Sequence, residues 1–228
     1  MNLLMLGPPG AGKGTQAERL AQIRGIPRIS TGDILREAVH AGTDIGLQAK
    51  AVMDRGELVG DDVMIGIVRE RLERDDAAGG FVLDGFPRTV AQAAALDGIV
   101  SGRDPLIVVD IVVPEDELVK RLSSRMICED RGANAPVVHG PICLLCGGKL
   151  VQRADDSDSV VLERLKVYHR QSEPLVEYYR VRPTFRSING AQPPDHVAAD
   201  LAAAIAAAGA HKAGAPGLGR AARTGAQP

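Results

Sequence analysis

Short apolar runs alternate with stretches of helical spacing over most of the chain. Asn2–Leu6 is apolar and meets glycines at once, which predicts a buried strand. Residues 14–24 bring Ala17, Leu20 and Ala21 to one side of a helix. A second apolar run covers 81–83 and closes on Asp84-Gly85. A third, rich in Val and Ile, covers 106–113, and a weaker fourth covers 184–188. Helical patterns at Asp61–Leu72, Val90–Ile99, 115–124 and 160–179 separate them. Strands alternating with helices of this length predict an α/β fold, a parallel sheet with right-handed crossovers.

Two segments break that rhythm. Residues 34–56 are helical in pattern with no strand beside them. Residues 126–158 carry Gly, Pro, Asp and every cysteine of the chain, and read as an inserted lobe. An Ala-rich run at 198–208 predicts a closing helix by propensity. The last twenty residues, 209–228, hold five Gly, two Pro and three Lys or Arg with no acidic residue, a composition expected of a disordered tail.

Composition narrows the class. At 228 residues the chain suits one domain with lobes. A net charge of −2 and no Trp argue against nucleic acid as the main partner. No apolar run approaches the ~20 residues of a membrane span, and the N-terminus lacks a basic leader, so a cytoplasmic, monomeric protein is expected. Three Cys, all between 128 and 146, make a poor disulfide framework and a better local metal cluster.

The stretch Gly7-Pro-Pro-Gly-Ala-Gly-Lys-Gly-Thr15 carries the first chemistry. It matches G-x-x-x-x-G-K between a predicted strand and a predicted helix, the setting of a phosphate-binding loop. Glycines let successive N–H groups turn toward phosphate oxygens, and the helix adds its positive end. Lys13 brings a point charge to the β- and γ-phosphates of a nucleoside triphosphate. One position departs from the usual pattern: Gly14, not Ser or Thr, follows the lysine, so ordinary magnesium ligation does not transfer unchanged. Asp84 ends an apolar strand, as an acidic residue near Mg²⁺ should; the bland alternative is a turn-former in Asp-Gly. Beside a phosphate loop, a role near Mg²⁺ through water is expected.

Phosphoryl transfer between two nucleotides needs a second set of cations. Arginine suits it, because its planar fork binds phosphate through two hydrogen bonds and keeps its charge. Arg36, Arg88, Arg121, Arg125, Arg153 and Arg164 are candidates, whereas Arg69, Arg71 and Arg74 have no such setting. Arg88 follows a strand directly, where parallel sheets bind ligands, and Arg121 and Arg125 share a helix face.

Four segments then carry a family resemblance: Gly7–Gln16 (GPPGAGKGTQ), Ile29–Arg36 (ISTGDILR), Asp84–Thr89 (DGFPRT) and Arg153–Asp156 (RADD). Together, in order and spacing from residue 1 to about 201, they resemble adenylate kinase, of the long-lid type. The Gly-Lys-Gly-Thr variant is itself a feature of nucleoside monophosphate kinases. The resemblance implies a P-loop three-layer sandwich with a five-stranded parallel sheet. Its core would comprise 1–29, 60–120 and 157–208, with an AMP-binding lobe at 30–59 and a lid at 121–156. It implies transfer of phosphate from MgATP to AMP, giving two ADP and balancing the adenine nucleotides. By the family's pattern, Gly10, Ala11, Gly12, Lys13, Gly14 and Thr15 cradle ATP, Arg121 and Arg125 reach it from the lid hinge, and Gln192 meets its adenine through the main chain. Thr31, Arg36, Gly85, Phe86, Pro87, Arg88 and Gln92 hold AMP, with the main chain of Glu57, Leu58 and Val59. Arg153 and Arg164 reach the phosphates from the lid side. Lys13, Asp84, Arg88, Arg125, Arg153 and Arg164 form the catalytic group.

The resemblance is looser in the lid. Many members hold structural zinc with two Cys-x2-Cys pairs. Here Cys143 and Cys146 form one pair, but Cys128 is followed at the pairing position by Arg131, and the spacer is shorter than usual. Tetrahedral zinc wants four ligands, and His139, ahead of Asp130, is the expected fourth. The alternative is a degenerate lid with three reduced thiols. Two rival functions fit a phosphate loop less well: a CMP or UMP kinase, against which Thr31 and Gln92 speak, and a nucleotide-binding switch, which would have no use for Arg36 and Arg88.

Overall fold

The structure, a computed structural model, describes residues 1–130, 141–144 and 146–210. A five-stranded parallel sheet forms its centre. The chain enters as β1 (Asn2–Leu6), passes the phosphate loop, and continues through α1 (Lys13–Arg24), β2 (Arg28–Ser30), α2 (Thr31–His40), α3 (Asp44–Met53) and α4 (Asp61–Leu72). Then come β3 (Phe81–Asp84), α5 (Val90–Ile99), β4 (Leu106–Val112) and α6 (Glu115–Ser123). A small antiparallel hairpin, β5 (Met126–Cys128) with β6 (Leu150–Gln152), interrupts the rhythm. The chain closes with α7 (Asp158–Val167), α8 (Pro174–Arg180), β7 (Phe185–Asn189) and α9 (Pro194–Ala210).

The strands lie in the order β2-β3-β1-β4-β7. This is the five-stranded α/β sandwich the resemblance implies. Side chains alternate across β1, so Leu3 and Met5 enter one core while Leu4 and Leu6 enter another. The first core receives Ala17, Leu20, Leu118, Leu122, Val161, Leu165 and Leu201 from α1, α6, α7 and α9. The second receives Leu35, Met64, Val68, Ala93, Leu96 and Tyr179 from α2, α4, α5 and α8. A sheet covered on both faces explains why its strands read as unbroken apolar runs.

Three differences from the sequence expectation have physical reasons. The strand Arg28–Ser30 has only three residues, two of them polar, and leaves no apolar run to find. The stretch 34–56 divides into α2 and α3, with Gly42 at φ 66° between them and the Thr43 hydroxyl capping the second helix. The expected helix 160–179 is interrupted by a π-helical stretch at Tyr168–Ser172. Pro174 follows that stretch; it has no N–H to give and crowds the carbonyl four residues back, which a wider turn accommodates. The closing helix is longer than expected, taking in Gly209 and Ala210; residues 211–228, the rest of the expected tail, lie outside the described residues.

Leu83 is fully buried in β3, beneath the loop that carries Arg88. Leu83→Ala should cost about 2–5 kcal/mol of stability. Denaturant unfolding checks this, and a loss below about 1 kcal/mol contradicts the packing described.

Candidate functional site

Four site segments leave the carboxyl edge of the sheet. The phosphate loop follows β1, Thr31 follows β2, Gly85 and Arg88 follow β3, and Gln192 follows β7. Strand register brings these ends together, with Met5 and Ser30 both beside Asp84. That edge is where ligands bind in open parallel sheets.

The loop itself depends on backbone no side chain could share. Gly7 has φ 132°, and a Cβ there would lie 2.6 Å from the carbonyl oxygen of Ile111. Gly12 caps α1 in the left-handed region without any side-chain hydrogen bond, leaving the first N–H groups of the helix open. Lys13 folds back over this loop, donating from Nζ to the carbonyls of Gly7 (2.7 Å) and Pro8 (2.8 Å). Burial lowers its pKa from 10.5 to about 8, opposed by the charge of Asp84 and reinforced by Arg88, Arg164 and Arg125.

The arginines form one electrostatic group. Burial, and next the charge of Arg164, pushes Arg88 down to about 10. Burial also takes Arg153 to about 10, with Arg36 and Arg125 adding repulsion. Arg164 is lowered by burial too, and Arg125 and Arg36 act on it in the same direction. Four aspartates hold the cluster together. Asp156, fully buried, accepts from Arg125 Nε at 2.7 Å and from Arg164 at 3.0 Å. Asp155 pairs with Arg164 at 3.0 Å. Asp33 pairs with Arg36, with Arg28 at 2.8 Å and with Arg153 at 3.7 Å. Asp84 accepts from Arg28 at 3.3 Å.

An open cleft lies under this cluster. Thr31, Arg36, Glu57, Leu58, Val59, Gly85, Arg88, Gln92 and Arg164 all line it, whereas Arg153 does not. Met64 and Leu35 give it an apolar wall. Thr31 donates to the Gly85 carbonyl at 2.8 Å, and Arg88 Nε donates to the same oxygen at 2.9 Å. Gly85 has φ 83°, and a Cβ there would press to 3.0 Å from the Thr31 hydroxyl oxygen. Phe86 and Pro87 are buried behind the cleft, not in its lining. Arg88 and Arg164 line the cleft, and their charges also favour the neutral form of Lys13.

Two candidates stand apart. Arg121 is held by Glu117 on its own helix at 2.9 Å, and Gln192 donates to the Asn189 carbonyl at 2.9 Å. In the hairpin lobe, the sulfurs of Cys128, Cys143 and Cys146 all lie within 4.8 Å of one another. Backbone bonds from Cys143 N to Gly148 O and from Gly147 N to Cys143 O, each 2.8 Å, form the turn that aims two of them. Among the described residues no fourth donor joins this group; His139 lies outside them. Thiols in such a turn suit zinc.

Asp33, Asp155, Asp156 and Asp61 were not singled out by sequence. The first three sit inside the quoted motifs, and the Asp33-x-x-Arg36 spacing of a helix-face ion pair was the available signal.

The adenylate kinase family model matches residues 5–184. The chain is 51% identical over 208 residues to the adenylate kinase of a Geobacillus strain, covering 88% of this chain and 96% of the relative. It is 51% identical over 197 residues to that of Archaeoglobus fulgidus, covering 83% and 91%. To that of Methanosarcina acetivorans it is 47% identical over 213 residues, covering 90% and 99%. Among the described residues no helix is long and apolar enough to cross a membrane.

The depressed Lys13 has a pH signature. Below about pH 8 both folded and unfolded chains carry this charge; between about 8 and 10.5 the unfolded chain keeps a proton the folded one has lost. This group's contribution to the stability of the ligand-free protein therefore rises with pH across that window. Triphosphate capture moves the other way. A profile of kcat/KM for the triphosphate should fall as pH rises through about 8, and a flat profile to pH 9 would contradict the assignment.

Proposed function

We propose a division of labour among these residues for a chain that belongs to the adenylate kinase family and moves a phosphoryl group reversibly from ATP to AMP, giving two ADP. The observation that carries it is that Arg88 and Arg164 line the cleft while Asp156 ties Arg164 to Arg125, beyond the end of α6. A group passing between two bound phosphates travels through that shared field.

Residues 10–15 cradle the ATP phosphates with main-chain N–H groups, and Lys13 leaves its carbonyl partners for the β- and γ-phosphates. Arg36 and Arg88 hold the AMP phosphate in the cleft. Thr31 and Gln92 meet its base, with the main chain at 57–59. An oxygen of the AMP phosphate attacks the γ-phosphorus, and the bond to the β,γ-bridging oxygen breaks as the new one forms. Arg125, Arg153 and Arg164 neutralise the charge that spreads over the moving group. No covalent enzyme intermediate is needed; positioning and electrostatics supply the catalysis. Mg²⁺ would neutralise the ATP phosphates, held near Asp84 through water. Arg121 and the main chain at Gln192 serve the ATP side.

The lobes follow the same division. Residues 30–59 form the AMP-binding lobe and 121–156 the lid, which excludes water as it closes. Cys128, Cys143 and Cys146 hold a structural zinc that fixes the fold of the lid, away from the reacting atoms, with His139 completing the set. The protein works as a cytoplasmic monomer.

Arg88→Ala tests the central role. Turnover should fall at least about a hundredfold. The melting temperature should hold or rise, since a buried charge beside like charges is removed. Activity within a few-fold of the parent refutes the role. For the lid, about one zinc per chain is expected by metal analysis after chelator-free purification. A ratio near zero refutes the zinc site.

A further inference from the structure

Gln92 is 1% exposed, lines the cleft, and has both ends of its side-chain amide engaged by the protein. Its Oε1 accepts from the Arg88 backbone N–H at 2.7 Å. Its Nε2 donates to Asp61 Oδ1 at 2.8 Å. The other Asp61 oxygen accepts from the Thr89 hydroxyl at 2.9 Å. Thr89 in turn caps α5, accepting from the Gln92 backbone N–H at 3.2 Å. Asp61 opens α4 and stands behind Gln92, outside the lining of the cleft.

We propose that Asp61 is a positioning residue that fixes the direction of the Gln92 amide and thereby the AMP site's choice of adenine over a 6-oxopurine. This rests on the reading of Gln92 as a base contact. An amide side chain can turn over, exchanging donor and acceptor at nearly the same shape. Here the reversed amide would set its NH2 against the Arg88 N–H and its oxygen against a carboxylate. A carboxylate can only accept, so it enforces the direction more firmly than a hydroxyl, which could rotate to suit. One proton on Nε2 and one lone pair on Oε1 remain for a ligand, in fixed order. Adenine offers an acceptor at N1 and a donor at its exocyclic amine, the complement of that order. Hypoxanthine offers a donor at N1 and an acceptor at O6, the reverse. A site with fixed donors and acceptors rejects the reversed pattern strongly, because buried groups are left unpaired. A freely turning amide would satisfy either base. The same carboxylate reaches Arg88 indirectly, since the Gln92 oxygen it orients anchors the Arg88 main chain.

The experiment compares AMP with IMP as acceptor for wild type, Asp61→Ala and Gln92→Leu, with ATP as donor. In Asp61→Ala the KM for AMP should rise about tenfold and the AMP:IMP ratio of kcat/KM should fall at least about fivefold, roughly the worth of one hydrogen bond to a charged group. The KM for ATP should stay within about twofold, which separates lost base recognition from general loosening. Asp61→Asn, whose oxygen still accepts from Nε2 while its NH2 meets the Thr89 oxygen, should recover most of the ratio. An unchanged AMP:IMP ratio in Asp61→Ala, beside a ratio that collapses in Gln92→Leu, overturns the positioning role and leaves the base contact standing. An unchanged ratio in Gln92→Leu overturns the base contact, and the inference with it. Should Asp61→Ala fail to fold, Asp61→Ser decides, since it keeps a polar residue at the start of α4 without the carboxylate. The same fall in the ratio is expected there, and an unchanged ratio overturns the proposal.

Discussion

Mutual repulsion among cations organises this molecule. Lys13, Arg36, Arg88, Arg125, Arg153 and Arg164 act on one another's charge, and no ordinary surface needs such a gathering. Asp33, Asp84, Asp155 and Asp156 offset part of the cost. The remainder is visible in Lys13, Arg88 and Arg153, each pushed down by burial and by its neighbours. Phosphates relieve that repulsion when they arrive. Donors already in place need not reorganise during the reaction, which is where preorganised electrostatics gains its advantage over water. The ligand-free protein gives up stability for this, and bound nucleotide restores it by mass action.

The sheet is the device that holds such a cluster. Its parallel strands end together at one edge, and each end delivers one part: the phosphate loop, Thr31, and the Gly85–Arg88 turn. Alternation along β1 then supports the two halves from separate cores. The core with α1, α6 and α7 underlies the Lys13 side, and the core with α2, α4 and α5 underlies the cleft. A side chain's parity in β1 thus tells which of the two cores it joins.

Much of this was legible in the sequence. The loop Gly7–Thr15 and the turn after β3 are local, so a short window carries all their information. Arg36, Arg88 and Arg164, named from the sequence, line the cleft. The strand Arg28–Ser30 was missed because three residues with two polar side chains leave no period. The division of 34–56 was missed because Gly42 and Thr43 break the helix without interrupting the apolar spacing. The aspartates were missed for a different reason. Asp61 meets Gln92 across 31 residues and Asp156 meets Arg125 across 31. Such pairing depends on the tertiary fold, and no spacing rule along one element announces it.

The hairpin lobe has an apolar cluster of its own consisting of Cys128, Cys143 and Leu150. Two of those three are thiols, so among the described residues the lobe gathers little hydrocarbon. Sulfur chemistry and the β5–β6 pairing do what a hydrophobic interior does elsewhere. Every cysteine of the chain lies in this lobe, so its order answers to the state of its sulfurs, a handle that the two large cores, which hold no cysteine, do not share.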